Sequence, residues 1–151
     1  MSVLATALSR AMRASAHDLV VFDKDADAWT RRPWTQVHAR AEGIATRILN
    51  LAQLGAVGMV GEPTADFVAA IHAAWLAGQS VSILPGPVRG ADPQQWARAT
   101  LTRFAGLGVR TVFSHGAELG LLSGVDGPLT VLDLRAVVHE PSTGFKPVEA
   151  A

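Results

Sequence analysis

The 151-residue sequence contains no cysteine. That excludes disulfides and thiolate metal sites, and it fits a reducing compartment. There is no charge excess either, since thirteen Lys and Arg balance thirteen Asp and Glu. A nucleic-acid binder needs a basic face, so no nucleic-acid partner is expected. No stretch reaches the ~18 apolar residues that a membrane span requires. The opening MSVLATALSRAMRASAHD is interrupted by Arg10 and Arg13 and does not read as a secretory signal. A soluble, cytoplasmic protein is the expectation. Neither of the common phosphate-loop spacings, G-x-G-x-x-G and G-x-x-x-x-G-K-[ST], occurs.

What the sequence does have is apolar residues, 49% of the chain against 17% charged. That is richer in apolar and poorer in charged residues than an average soluble domain. Two accounts fit: a deeply buried parallel sheet, or a surface covered by more protein. The length suits one domain with a real core.

Helical spacing runs through residues 2–15, with Ser2 as N-cap and Val3, Leu4, Ala7, Leu8, Ala11 and Met12 on one stripe. LVVF at 19–22 and Trp29-Thr30 flank the polar DKDAD, which predicts a hairpin over 19–31. Pro33 is expected to end its pairing. From Pro33 to Gly55, Val37, Ala41, Ile44, Ile48 and Leu51 form the clearest amphipathic stripe. Thr35 is the candidate N-cap, and Gly55 after Leu54 the C-terminal cap. Strands are predicted at 56–61, 80–85, 110–115 and 128–134. The intervening helices run over 64–78, capped by Thr64 or Asp66, from Asp92-Pro93 to Gly108, and over 115–124. The tail from Val137 on shows no periodicity and reads as loop or linker. The alternation implies an α/β fold: a mostly parallel sheet with flanking helices, plus a small N-terminal helix and β-hairpin element.

Residues 34–85, WTQVHARAEGIATRILNLAQLGAVGMVGEPTADFVAAIHAAWLAGQSVSILP, carry a resemblance. The pieces are Trp34-Thr35, Leu54-Gly55, the strand Val57 to Val60, Ala77-Gly78 and Val81 to Pro85. Together they resemble the N-terminal subdomain of AMP-forming acid ligases, the superfamily of acyl-CoA synthetases, fatty acyl-AMP ligases, luciferases and adenylation domains. The proline-rich loop after Pro85 and the helix that follows look more like the fatty acyl-AMP ligase branch. RTVFSHGAEL is similar to a later strand and helix of these proteins, so the resemblance covers roughly 15–135. It implies a parent enzyme that uses ATP and Mg to turn a fatty acid into an acyl-adenylate. The parent would then pass the acyl group to CoA or to an acyl carrier protein. It also implies that the Ala-rich helix 65–77 lines part of an acyl tunnel. The family's Ser/Thr/Gly-rich loop ending in lysine, its aromatic-Thr-Glu motif, its ribose-binding aspartate and its C-terminal catalytic lysine have no match here.

The candidate chemistry is correspondingly thin. The turn VGEPTADF at 60–67 has the strand–turn–helix layout of a phosphate loop. However, Met59 and Val60 are bulky, Glu62 is acidic, and Pro63 lacks an amide donor, so it reads as a structural turn. The histidines His17, His38, His72, His115 and His139 lack metal-ligand spacing. His38 and His72 read as solvated or satisfied helix residues. His115 is the most interesting, because it ends a strand where open parallel sheets gather ligands. Ser80, Ser82 and Ser114 lack a nucleophile elbow. Asp23, Asp25 and Asp27 resemble part of a calcium loop without its glycine or distal glutamate. Trp29, Trp34, Trp75 and Trp96 read as packing anchors.

No residue is therefore assigned a catalytic, cofactor-binding or metal role, and no substrate contact is named. The reading adopted is that 1–139 form the N-terminal subdomain of such a ligase and 140–151 a loop or linker tail. This piece would be inactive alone and bind no cofactor. Its partners would be the remainder of the ligase chain, with self-association of the fragment through exposed sheet edges. The alternative is a free-standing flavodoxin-like α/β binding or regulatory module. A third is a subunit that docks on a separate catalytic chain.

Overall fold

The computed structural model describes residues 2–51 and 55–139. The expectations for Leu54 and for the tail 140–151 lie outside them. The chain opens with α1 (Val3–Ala14), where Ser2 Oγ accepts the Ala5 amide at 3.1 Å. Strands β1 (Asp18–Asp23) and β2 (Ala28–Pro33) form a separate antiparallel hairpin, with Phe22 opposite Trp29. Pro33 does not end the pairing as expected. It pairs with Asp18 and takes the N-cap position of α2 (Trp34–Asn50), which starts one residue later with no side-chain cap. Thr35 is therefore inside the helix.

The rest alternates as predicted: β3 (Ala56–Val60), α3 (Ala65–Leu76), β4 (Ser80–Ile83), α4 (Pro93–Gly106), β5 (Thr111–Ser114), α5 (Gly116–Ser123) and β6 (Thr130–Asp133). The four strands are all parallel, in the order β4-β3-β5-β6. The central strands are AVGMV, a near-continuous apolar run, and TVFS, buried at all four residues, as expected of strands covered on both faces. Thr64, not Asp66, caps α3, and Asp92 caps α4 ahead of Pro93. A sixth helix, α6 (Leu134–His139), follows β6 without a break, where a loop was expected. Asp133 Oδ1 accepts the Arg135 amide at 2.9 Å and starts it. Leu134 and Val137 are buried against the core.

The sheet divides two apolar layers. On one side α1, α2, α3 and α6 bury Ile44, Ile48, Met59, Phe67, Phe113 and Leu134. On the other, α4 and α5 bury Val60, Leu101, Phe104, Val112 and Leu122. Gly58 makes the second layer fit, since a Cβ there would lie 2.8 Å from the Phe104 ring. Phe104 is fully buried, so it has nowhere to retreat.

Helix α1 turns a different face inward from the one its apolar residues suggest. Ala5, Ser9 and Met12 are buried, while Val3 is 88% and Leu4 52% exposed. Small residues face α2 and α3, and Ser9 reaches His72. Two of the tryptophan anchors also shift. Trp29 is 70% exposed on the hairpin, and Trp75 is only half-buried. Trp34 packs partly against the first layer. Trp96 packs partly against the second and donates Nε1–H to the Pro85 carbonyl at 3.2 Å. Among the described residues, no helix is long and apolar enough to cross a membrane.

Candidate functional site

The strand order makes β3 the point where the chain reverses direction in the sheet. Its first crossover runs outward to β4, and the next returns past it to β5. In open parallel sheets ligands sit outside the carboxyl ends of the strands at such a reversal. Here those ends are Val60-Gly61-Glu62 and Ser114-His115-Gly116.

His115 fills that crevice. It is buried, and its Nε2–H donates to the Glu62 carbonyl at 2.9 Å. The Phe67 ring meets it edge-on at 6.3 Å. Gly61 lies directly beneath, with φ +155° and room for no side chain, since a Cβ would sit 2.6 Å from His115 Nε2. Ser114 Oγ donates to the Val60 carbonyl at 2.7 Å and ties the same two strand ends together. The Glu62 side chain turns away to Lys24 at 2.7 Å and holds that ammonium above its ordinary pKa. The turn over 60–67 is thus a locked crossover, with an imidazole where a phosphate loop would keep open space.

Outside this plug lies a cleft of about 190 Å³ between the sheet end and the inner face of the hairpin. Thr30 and Arg32 form its hairpin wall, Arg40 comes from α2, Asp66 from α3 and Arg135 from α6. Arg40 is paired with Asp66. Arg135 reaches Asp25 at 3.8 Å. Asp23 Oδ1 accepts the amides of Asp25 and Ala26 and closes the hairpin turn. The three aspartates of DKDAD therefore shape a turn, with Asp27 at φ 49°. Among the described residues no group of three His, Cys, Asp or Glu is arranged to hold a metal ion.

The sequence did not foretell the pairing of His38 with His72. His38 Nδ1 and His72 Nε2 are 3.3 Å apart across the α2–α3 interface, and both residues are buried. His38 Nε2 lies 3.2 Å from the Glu42 carboxylate, and Ser9 Oγ lies 3.4 Å from His72 Nε2. With His38 Nε2–H donating to this carboxylate, His38 Nδ1 accepts from His72 Nε2–H. This leaves His72 Nδ1 as a bare buried acceptor, and among the described residues no partner reaches it. Desolvation lowers the pKa of both rings, His72 to about 4, with His38 adding to that shift. The signal in the sequence was positional, because each histidine falls on the inner face of its helix. His17 lies in the exposed connection before β1. Ser80 Oγ donates to the Gly55 carbonyl at 3.1 Å, and Ser82 is a half-buried strand residue.

The architecture, a parallel α/β sheet preceded by a helix and a hairpin, is one shared with adenylate-forming enzymes. The fatty acyl-adenylate ligases of E. coli and L. pneumophila include a structure that matches 97% of this chain at 21% identity, with a TM-score of 0.79. McyG A-PCP complexed with phenylalanyl-adenylate matches 99% at 15% identity and a TM-score of 0.79. O-succinylbenzoate coenzyme A synthetase (MenE) from Bacillus subtilis, in complex with AMP, matches 93% at 11% identity and 0.70. The chain spans 28%, 24% and 34% of those three chains respectively. No protein-family model matches the sequence.

Proposed function

We propose that these residues are the N-terminal subdomain of an adenylate-forming ligase whose whole chain activates a fatty acid. The parent would join the carboxylate to ATP, giving acyl-adenylate and pyrophosphate, and then transfer the acyl group to the thiol of CoA or of a carrier protein. One observation carries the reading: nearly the whole chain superposes on a quarter to a third of three enzymes, one described as a fatty acyl-adenylate ligase, one in complex with AMP and one with phenylalanyl-adenylate. The resemblance of residues 34–85 points to the same superfamily independently. Support for the fatty-acid branch comes from the proline-rich loop before α4 and from the fatty acyl-adenylate ligase match at 21% identity, against 11% for MenE.

ATP and magnesium, present in another MenE structure, are cofactors of the proposed parent. The crossover turn and the cleft beside it do not fit them. The crossover turn is plugged by His115, and the adjoining cleft of about 190 Å³ is smaller than the roughly 300–1,000 Å³ typical of ligand pockets. No catalytic step is therefore assigned to this chain. Its proposed contribution is scaffold, in a cytoplasmic enzyme.

Two measurements test the reading. The 151-residue chain, given ATP, Mg²⁺ and a fatty acid, should form no acyl-adenylate by mass spectrometry. Product from this chain alone would refute the division of labour. Read in frame, a coding sequence that continues past Ala151 is expected to reach a Ser/Thr/Gly-rich loop with lysine, and the full product should release pyrophosphate with fatty acids rather than amino acids. A stop codon at Ala151 would favour a flavodoxin-like binding module instead.

A further inference from the structure

The cleft between the hairpin and the sheet end has a charge arrangement that the crossover turn does not explain. Three guanidinium groups, Arg32, Arg40 and Arg135, come from three different elements and line one concavity. Two carboxylates share it, Asp23 and Asp66. Asp66 is matched by Arg40, and one Asp23 oxygen is turned to its own backbone turn. Arg135 keeps only a long contact, to Asp25 at 3.8 Å. The Arg32 side chain makes no hydrogen bond or ion pair among the described residues. The lining therefore holds one unmatched cation and one weakly matched one, alongside the Asp23 carboxylate and polar Thr30 and Thr64.

We propose that this cleft binds a small oxyanion, a phosphate or carboxylate group, on Arg32 and Arg135, with the Arg40–Asp66 pair as its floor. Guanidinium forks match the two oxygens of such a group, and a partly enclosed site strengthens the contact. The size agrees. About 190 Å³ accommodates one oxyanion with some of its water, at roughly 30 Å³ per water. The anion rests on side chains from the hairpin and α6, so it needs none of the amides of the locked turn. This inference does not depend on the ligase reading and can fail or hold separately from it.

The test is a titration of the 151-residue chain followed through its arginine Nε–H resonances. Inorganic phosphate, a phosphate monoester and acetate are each compared with chloride at equal ionic strength. The Arg32 signal is expected to shift saturably with at least one oxyanion, while Arg89, exposed on the β4–α4 loop, stays with the chloride control. Binding of the monoester as well as inorganic phosphate assigns the site to the end of a larger ligand. Preference for inorganic phosphate assigns it to the free ion, and preference for acetate to a carboxylate. Arg32→Ala removes an exposed, unpartnered side chain, so the fold should persist by circular dichroism while affinity falls about tenfold, and Arg32→Lys should lose less. Shifts at Arg32 no larger than at Arg89, or undiminished binding by Arg32→Ala, would overturn the proposal.

Discussion

His38 and His72 share one proton-bearing contact, Nδ1 to Nε2 at 3.3 Å, between two helices that are otherwise joined by apolar side chains and the Arg40–Asp66 ion pair. Burial opposes a positive charge on either ring, and Arg13 adds to that effect at His38 while Glu42 works against it.

The pair predicts acid sensitivity. An unfolded histidine takes its proton near pH 6.5, whereas folded His72 holds it off until about 4. Between those values the unfolded chain binds more protons, so stability is complete above about pH 6.5 and falls as the pH drops toward 4. His38 shifts in the same direction and adds to the loss. Thermal melts across this window should show a steep fall for the native chain and a shallower one for His72→Leu. Equal slopes would mean that the pair does not control it.

A second prediction concerns Gly61. Its backbone lies at φ +155° and its α-carbon faces the His115 ring. Gly61→Ala should destabilise by about 2 kcal/mol, combining backbone strain with a clash. Adding His115→Ala removes the clash but leaves the strain. The double variant should therefore lose less than the sum of the single losses in denaturant melts. Strict additivity would mean that the two residues do not interfere.

The hairpin's outer face predicts self-association. Val20, Phe22 and Trp29 lie together there, 40%, 43% and 70% exposed, with the two rings 5.5 Å apart edge to face. Sedimentation should show a concentration-dependent dimer that Trp29→Ser weakens. Stability should change by no more than about 1 kcal/mol, the scale of one cross-strand pair. A clean monomer at high concentration would refute this.

How much of this was legible follows from how each residue carries its signal. Thr64, Asp92-Pro93 and Gly78 announce helix boundaries by local chemistry, and the structure places each where that chemistry puts it. The four strands could be read because Val57 to Val60 and Thr111 to Ser114 are short runs between turn residues. Helix α6 could not, since Leu134, Val137 and Val138 offer barely one repeat before His139. The orientation of α1 was misread because its buried face is small and partly polar, and its apolar Val3 and Leu4 point outward. His115 was singled out by its position at a strand end. That it closes the crevice instead of opening it depends on Glu62 and Phe67, fifty residues away in sequence, which no local pattern reveals.

Among the described residues the hairpin pairs only with itself and joins the main sheet by no backbone ladder. Lys24 to Glu62 and the long reach from Arg135 to Asp25 are exposed side-chain links, of a kind that contributes little. The chain thus has two clocks. Amides of β3 and β5 should exchange with deuterium only when the whole core opens, while those of β1 and β2 should exchange through a cheaper, local release. The cleft between them would then have one wall that keeps the slow time and one that keeps the fast.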